Sequence, residues 1–188
     1  QLAKLNPVFE KESGNGSLTA GNSSLLTDGA AGLWVCGSKA KEKFPDKSYA
    51  TQLVDWEIAA VNIENEGLLM ATTFAIPKLL ARHKLRYDDI DLWEIHEAFG
   101  AQVAANVQLL EDKNHLKKVG VSFDFGAFPW NNLNPNGGSI AIGHPFGATG
   151  ARIINQAIKE LSQMGPGKKA VVSVCADGGL GTVMLLES

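Results

Sequence analysis

The sequence has little of what marks the more specialised classes of protein. Its 188 residues contain only two cysteines, Cys36 and Cys175, too few for a disulfide framework or a cysteine-rich zinc module. No apolar run approaches the ~18 residues that span a bilayer. The formal net charge is only −3, so there is no basic excess for binding nucleic acid or an anionic membrane. These absences favour a globular protein that acts on small molecules.

Glycine is the residue present in excess. The 20 glycines are about 11% of the chain, whereas average usage is about 7%, and no Gly-X-Y period accompanies them. Apolar residues make up 45% and charged residues 20%, as in ordinary globular domains. The glycines must therefore serve tight turns or close packing, and many fall in two segments, 137–150 and 178–181.

Hydrophobic periodicity predicts a layered α/β domain with a mixed sheet covered by helices. Residues 1–17 are polar and read as a linker or loop remnant, and residues 18–188 as the domain. The predicted order is βαβαβαββ, in which the third α stands for two successive helices. The strands are expected at 33–36, 49–62, 90–95, 170–175 and 182–186, and the helices at 38–44, 68–84, 97–110 and 147–164. Residues 113–138 read as irregular, and Cys36, inside an apolar run, reads as core.

Three short motifs carry candidate chemistry. His144 lies in the glycine-rich segment 143–150, where Pro145 keeps it out of the helical region and presents it at a loop–helix junction. Cys175 ends an apolar run and opens into a glycine-rich turn, which suits an activated thiol or an oxyanion. His96 precedes a predicted helix and could donate to a substrate or water. Each has a structural alternative: a capping turn, an inert buried cysteine, or a satisfied histidine.

Taken together and in order, the motifs resemble the C-terminal half of a thiolase, the enzymes that cleave 3-ketoacyl-CoA or condense two acyl-CoA molecules. The matching blocks are 19–24 with 28–31, 96–99, 136–150 and 175–181. The family's Asn-Glu-Ala-Phe motif is present as His-Glu-Ala-Phe, the form that resembles the thiolase subunits of trifunctional fatty-acid oxidation complexes.

The resemblance implies roles for the candidate residues. A nucleophilic cysteine from the N-terminal half takes the acyl group, and His144 accepts its proton and helps polarise the thioester carbonyl. Cys175 moves the proton at the α-carbon, and His96 holds a water or the oxygen itself in an oxyanion hole. Two further sets follow from the same match. The positions expected to line the pantetheine arm of CoA are Ala20, Ser24, Ala98 and Phe99, and those of the second oxyanion loop are Asp177, Gly178 and Gly179.

The match also departs from the family and implies partners. Asp177 stands where thiolases usually have Gly or Ala, and its carboxylate would oppose an oxyanion if it pointed inward. No N-terminal half is recognised, so the isolated chain is expected to be inactive. Coenzyme A is expected as a substrate, without a cofactor or metal. A homodimer or homotetramer, a hydratase/dehydrogenase partner, and a bacterial cytoplasmic or mitochondrial matrix location are also expected.

Two other functions stay open from the sequence. Asp177 and the missing half are compatible with a degenerate thiolase-like protein that binds acyl-CoA or a partner without catalysis. A ketosynthase-type condensing enzyme is the second alternative. Cys175 in its glycine-rich loop argues against the ketosynthase, because the second cysteine is the thiolase-type feature.

Overall fold

The computed structural model describes residues 1–44 and 49–188. Within those residues the strands are β1 (Gln52–Ala60), β2 (Leu92–Ile95), β3 (Lys169–Ala176) and β4 (Leu180–Glu187). The helices are α1 (Ser38–Lys41), α2 (Ile63–Glu66), α3 (Thr72–His83), α4 (Gly100–Glu111), α5 (Lys113–Val119), α6 (Ser139–Ile142) and α7 (Thr149–Met164). Single 3₁₀ turns lie at Leu2–Lys4, Tyr87–Asp89 and Trp130–Asn132.

The four strands form one mixed sheet in the order β1-β4-β3-β2. β3 and β4 form an antiparallel hairpin, and β1 pairs antiparallel with β4. β2 is parallel to β3, with Ile95 opposite Ser173. The helices between β2 and β3 make this crossover, which a parallel pair requires. The predicted mixed sheet is confirmed.

Alternating side chains divide the sheet into two buried faces. One face, with Trp93, Ile95 and Val171, packs under α3 and α4. The other face, with Leu92, Ala170 and Val172, packs under α7, whose residues Ile153, Ala157 and Leu161 recur every four positions. The order of layers is therefore α3/α4, sheet, α7, and α7 connects the loop of His144 to β3.

The predicted first strand, 33–36, is wrong. Trp34 is 88% exposed, Val35 is 78% exposed and Cys36 is exposed, and no described residue pairs with this segment. An apolar run forms a buried strand only when neighbouring strands and a covering layer are available. Cys36 is therefore a surface residue and not part of the core.

Helix α5 is a second difference, because it lies inside the segment predicted to be irregular. The Asp112 side chain caps it by accepting the N–H of Asn114, and Gly120 ends it with a left-handed conformation. The remaining strands and long helices lie where periodicity predicted them, with ends shifted by a few residues.

Gly181 offers a test of how closely α3 packs on the sheet. A Cβ at this position on β4 would lie 2.8 Å from the backbone nitrogen of Thr72, which is the first residue of α3. We expect Gly181→Ala to lower the free energy of unfolding by about 1–3 kcal/mol, because backbone cannot yield as a side chain can. Urea denaturation measures the change.

Gly150→Ala is the matched control, since a Cβ there meets nothing within 4 Å on α7. Alanine is the better helix former, so this variant should be as stable as the wild type or slightly more stable. Equal stability of Gly181→Ala and the wild type would contradict the close approach of α3.

Candidate active site

The candidate residues lie together at one end of the sheet. Because β2 and β3 are parallel, their carboxyl ends meet at that end. His96 directly follows β2, and its N–H donates to the carbonyl of Ser173 over 2.8 Å. Cys175 lies two residues beyond Ser173 on β3. The fold thus brings together motifs that are separated by nearly 80 residues of sequence.

His96 and His144 are in direct contact. Their ring centroids lie 4.2 Å apart with an interplanar angle of 39°. Each Nδ1 has a hydroxyl partner: Ser139 Oγ lies 3.0 Å from that of His96, and Thr149 Oγ1 lies 2.7 Å from that of His144. Both hydroxyls fix the ring orientation, so each Nε2 is turned away from its serine or threonine.

Residues 23–25 form hydrogen bonds with both of the loops that carry the histidines. The N–H of Ser24 donates to the carbonyl of Ala98 over 2.9 Å, and that of His144 donates to Leu25 over 2.7 Å. Ser23 forms an isolated antiparallel bridge with Phe99. Of the predicted CoA-lining positions, Ser24, Ala98 and Phe99 are therefore adjacent and half-buried, while Ala20 lies in an exposed turn just before them.

Glu97 anchors the loop that carries His144. Its carboxylate accepts from Asn134 Nδ2 over 2.7 Å and from the N–H of Ile140 over 3.2 Å. A Cβ at Gly138 would lie 2.7 Å from this carboxylate, which explains why glycine stands at that position. The residue after His96 is thus held by two hydrogen bonds.

Burial keeps both histidines neutral near pH 7. Burial, the nearby His144 and the charge of Arg152 lower the pKa of His96 to about 4. Burial and Arg152 also lower the pKa of His144. A neutral imidazole can accept a proton at one nitrogen and donate a hydrogen bond from the other, as acid–base chemistry requires.

Cys175 has the opposite property to an activated nucleophile. The residue is only 7% exposed, and burial raises the pKa of its thiol to about 11. The thiol therefore stays protonated near neutral pH. A protonated thiol is a proton donor, whereas nucleophilic attack needs the thiolate.

The turn between β3 and β4 consists of Asp177, Gly178 and Gly179. Both glycines have left-handed backbones, with φ of 80° and 78°. Asp177 is exposed, and its carboxylate accepts the N–H of Gly178 over 2.7 Å. The carboxylate is thus engaged by its own turn, on the solvent side.

A polar stripe on α7, half-buried at Arg152 and Gln156 and buried at Glu160, lies behind His96 and was not predicted from the sequence. Its members are Arg152, Gln156 and Glu160 on α7, facing Glu94 on β2. Gln156 Nε2 lies 3.4 Å from Glu94 and 3.0 Å from Glu160, and Arg152 Nη1 lies 3.2 Å from Gln156. The signal was present, because these residues recur every four positions beside the apolar stripe.

Glu94 is the most strongly perturbed acid of this stripe. It is 2% exposed, and burial, together with repulsion from Glu160 and Glu97, raises its pKa to about 8 against the pull of Arg152. The carboxyl is therefore largely protonated at pH 7. Asn134, Ser139 and Thr149 complete the set of site residues that sequence reasoning missed.

The part of the chain that the structure describes has neither a candidate metal site nor a candidate membrane-spanning helix. No group of three or more His, Cys, Asp or Glu side chains there could hold a metal ion. None of the described helices is both long enough and apolar enough to cross a membrane.

Comparison with known families decides the relationship. Residues 48–188 match the family model described as thiolase, C-terminal domain, and residues 1–39 match that of the thiolase N-terminal domain. The chain belongs to the thiolase family. The two matches divide the chain between residues 39 and 48, whereas the sequence patterns placed the boundary after residue 17, and the first 39 residues carry part of the N-terminal domain.

Individual thiolases extend this result. The 3-ketoacyl-CoA thiolase of Shewanella amazonensis is 39% identical over 186 residues, which cover 98% of this chain and 42% of that protein. The dimeric peroxisomal thiolase of Saccharomyces cerevisiae superimposes with a TM-score of 0.75 at 31% identity, over 100% of this chain and 41% of that one. Acat5 thiolase from Ascaris suum, solved with coenzyme A, gives a TM-score of 0.71 at 25% identity, over 100% and 43%. The chain thus spans less than half the length of these thiolases.

The raised pKa of Glu94 makes stability depend on pH. Between its ordinary value of 4.5 and about 8, the folded protein holds a proton that the unfolded chain releases, so this residue makes the protein less stable as pH rises. Glu94→Gln removes the effect. We expect its free energy of unfolding, relative to wild type, to rise by about 2 kcal/mol or more from pH 5 to pH 8.

Urea denaturation at several pH values measures this difference, and Glu64→Gln serves as the control. Glu64 is exposed, so its substitution should shift stability equally at both pH values. His96 contributes with the opposite sign below pH 6.5, but that term is common to all three proteins and cancels. A pH-independent difference for Glu94→Gln would contradict the buried neutral acid.

Proposed function

We propose that this chain forms the C-terminal catalytic part of a thiolase that transfers an acyl group to CoA with cleavage of 3-ketoacyl-CoA, or runs the reverse condensation. The observation that carries the proposal is the contact of two neutral histidines at the end of the sheet where buried Cys175 lies. A base, a hydrogen-bond donor and a proton donor are the groups that an enolate-forming reaction needs.

His144 acts as the base toward the nucleophilic cysteine. That cysteine attacks the 3-keto carbonyl as a thiolate, and His144 takes its proton at Nε2, because Nδ1 is engaged by Thr149. The lowered pKa leaves His144 unprotonated before attack and able to accept the proton. Thr149 holds the ring in place from the first turn of α7.

His96 stabilises the oxygen that gains charge. It stays neutral because of its burial, so it acts as a hydrogen-bond donor to the thioester oxygen, directly or through a water. The preorganised donor requires no rearrangement when the charge develops. The backbone N–H of Asp177 supplies the second oxyanion site, while the Asp177 carboxylate lies on the solvent side and accepts the N–H of Gly178.

Cys175 moves the proton at the α-carbon. When the bond between C2 and C3 of the substrate breaks, its electron pair stays on C2 as the enolate of the departing acyl-CoA. The protonated thiol of Cys175 delivers a proton to C2, and the resulting thiolate takes the proton of the incoming CoA thiol, which then attacks the acyl-enzyme. A thiol pKa of about 11 suits a donor to an enolate carbon.

The nucleophile is supplied by the remainder of the N-terminal thiolase half, as the resemblance implies, because Cys175 is buried and protonated. Large apolar side chains mark where further protein would pack. They include Leu25, Leu26, Trp34, Val35, Trp56, Ile58 and Phe146, all more than half exposed. Without that half, the 188 residues are inactive.

Acyl-CoA and CoA are the proposed ligands, with CoA as a substrate and no other cofactor. The coenzyme A complex of the Ascaris suum thiolase supports CoA as a ligand, and the adjacent Ser24, Ala98 and Phe99, with Ala20 beside them, would line its pantetheine arm. The dimeric yeast enzyme supports a homodimer, and the homotetramer stays a prediction from the resemblance. A hydratase/dehydrogenase partner and a bacterial cytoplasmic or mitochondrial matrix location remain predictions from the His-Glu-Ala-Phe motif and the resemblance.

The two cysteines allow a matched test of the mechanism. In the complete enzyme, formed with an N-terminal thiolase half, we expect Cys175→Ser to slow exchange of the α-protons of acyl-CoA with D₂O by about 10²-fold or more. Acylation of the nucleophile should remain measurable. Cys36→Ser, which changes an exposed thiol, should leave both rates at the wild-type level.

Unchanged α-proton exchange in Cys175→Ser would overturn the role given to this residue. The wild-type enzyme also tests the alternative of a binding protein. If it binds acyl-CoA in calorimetry yet shows no CoA-dependent cleavage of 3-ketoacyl-CoA, the degenerate binding function replaces catalysis.

A further inference from the structure

Ser139 stands between Arg152 and His96 in a place closed to solvent. Its side chain is fully buried, with 0% exposure. Its Oγ lies 3.3 Å from Arg152 Nη2 and 3.0 Å from His96 Nδ1, and these are its side-chain hydrogen-bond partners among the described residues. The hydroxyl therefore links the cation on α7 to the imidazole that follows β2.

The direction of these two hydrogen bonds follows from the chemistry of the groups. A guanidinium has donors and no acceptor, so Arg152 donates and Ser139 Oγ accepts. The single hydroxyl proton of Ser139 then needs an acceptor, since a buried donor left unpaired costs about 1–3 kcal/mol. Nδ1 of His96 is the partner in reach, and it can accept only when it carries no proton.

A neutral imidazole carries one proton, on one nitrogen or the other. If Nδ1 accepts from Ser139, the proton of His96 is on Nε2, which lies on the far side of the ring from Ser139. The cationic Arg152 disfavours a second proton on the ring, as the lowered pKa of His96 reflects. The contacts of His96 with Ser139, and of Ser139 with Arg152, thus favour one protonation state of His96, the neutral ring with its proton on Nε2.

We propose that Arg152 is a positioning residue that, through the hydroxyl of Ser139, holds His96 in the tautomer with its proton on Nε2. The inference rests on the proposed function for its meaning, because that tautomer is the one that presents an N–H to a substrate oxygen. It assigns to α7 a task at the site beyond its packing on the sheet. Gln156 keeps Arg152 in register from the other side, through Nη1.

Histidine nitrogen NMR tests the tautomer directly. In the full chain labelled with [¹⁵N]histidine, we expect His96 to show an imine-type Nδ1 and a protonated, pyrrole-type Nε2. In Ser139→Ala the ratio of the Nε2–H tautomer to the Nδ1–H tautomer should fall about fivefold or more. This change is the equivalent of one neutral hydrogen bond. Ser173→Ala is the matched control, because Ser173 is as deeply buried on β3 and its Oγ has no hydrogen-bond partner among the described residues.

Two variants of Arg152 separate the effect of its hydrogen bond to Ser139 from the effect of its side-chain packing. Arg152→Lys keeps a donor and a charge and should retain the Nε2–H tautomer, whereas Arg152→Met keeps only the length and should give a mixture. The resonances of His144 and His115 report whether each variant is folded. A wild-type His96 protonated at Nδ1, or an unchanged ratio in folded Ser139→Ala, would overturn the inference. Because no turnover is measured, this outcome is separate from any failure of the proposed catalysis.

Discussion

The side-chain amide of Asn134 is the contact on which the geometry of the site depends. Among the described residues β2 is the last strand of the sheet, and on its outer side Leu133 forms an isolated parallel bridge with Trp93. Asn134 follows at the strand end: its Oδ1 accepts the N–H of Ile95 over 2.8 Å, and its Nδ2 donates to the Ile95 carbonyl over 2.9 Å. The same Nδ2 contacts Glu97. One side chain therefore holds the backbone of Ile95 before His96 and the carboxylate of Glu97 after it.

The hydrogen bonds of Asn134 also help to position His144, through Glu97. The Glu97 carboxylate holds the N–H of Ile140 at the start of α6, and α6 leads directly into the His144 loop. Residues 134–144 are thereby fixed against β2 from within the chain, while Leu25 holds the backbone of His144 from the other side. The 4.2 Å contact of the two rings thus lies between two loops that these hydrogen bonds hold together.

Sequence reasoning found the sheet, the long helices and the three chemical motifs because each has a local signal. A strand-to-helix junction marked His96, a strand end before a glycine-rich turn marked Cys175, and Pro145 marked His144. It failed where the signal is non-local. The run at 33–36 is as apolar as a buried strand, and only the absence of a pairing strand among the described residues makes it exposed. Asn134 read as one residue of a turn, since nothing in its neighbourhood indicates a partner 39 residues away.

The protonation states of the three candidate residues suit proton transfer better than nucleophilic attack. Burial is the largest influence on His96, His144 and Cys175, and in each case it disfavours the charged form. A site that suppresses charge in this way suits proton transfer to and from carbon, but it would hold an attacking cysteine as an unreactive thiol. In the proposed reaction the nucleophile therefore needs a different environment, one that stabilises a thiolate. Two cysteines on different elements, one of them facing His144, would meet both electrostatic requirements of that reaction.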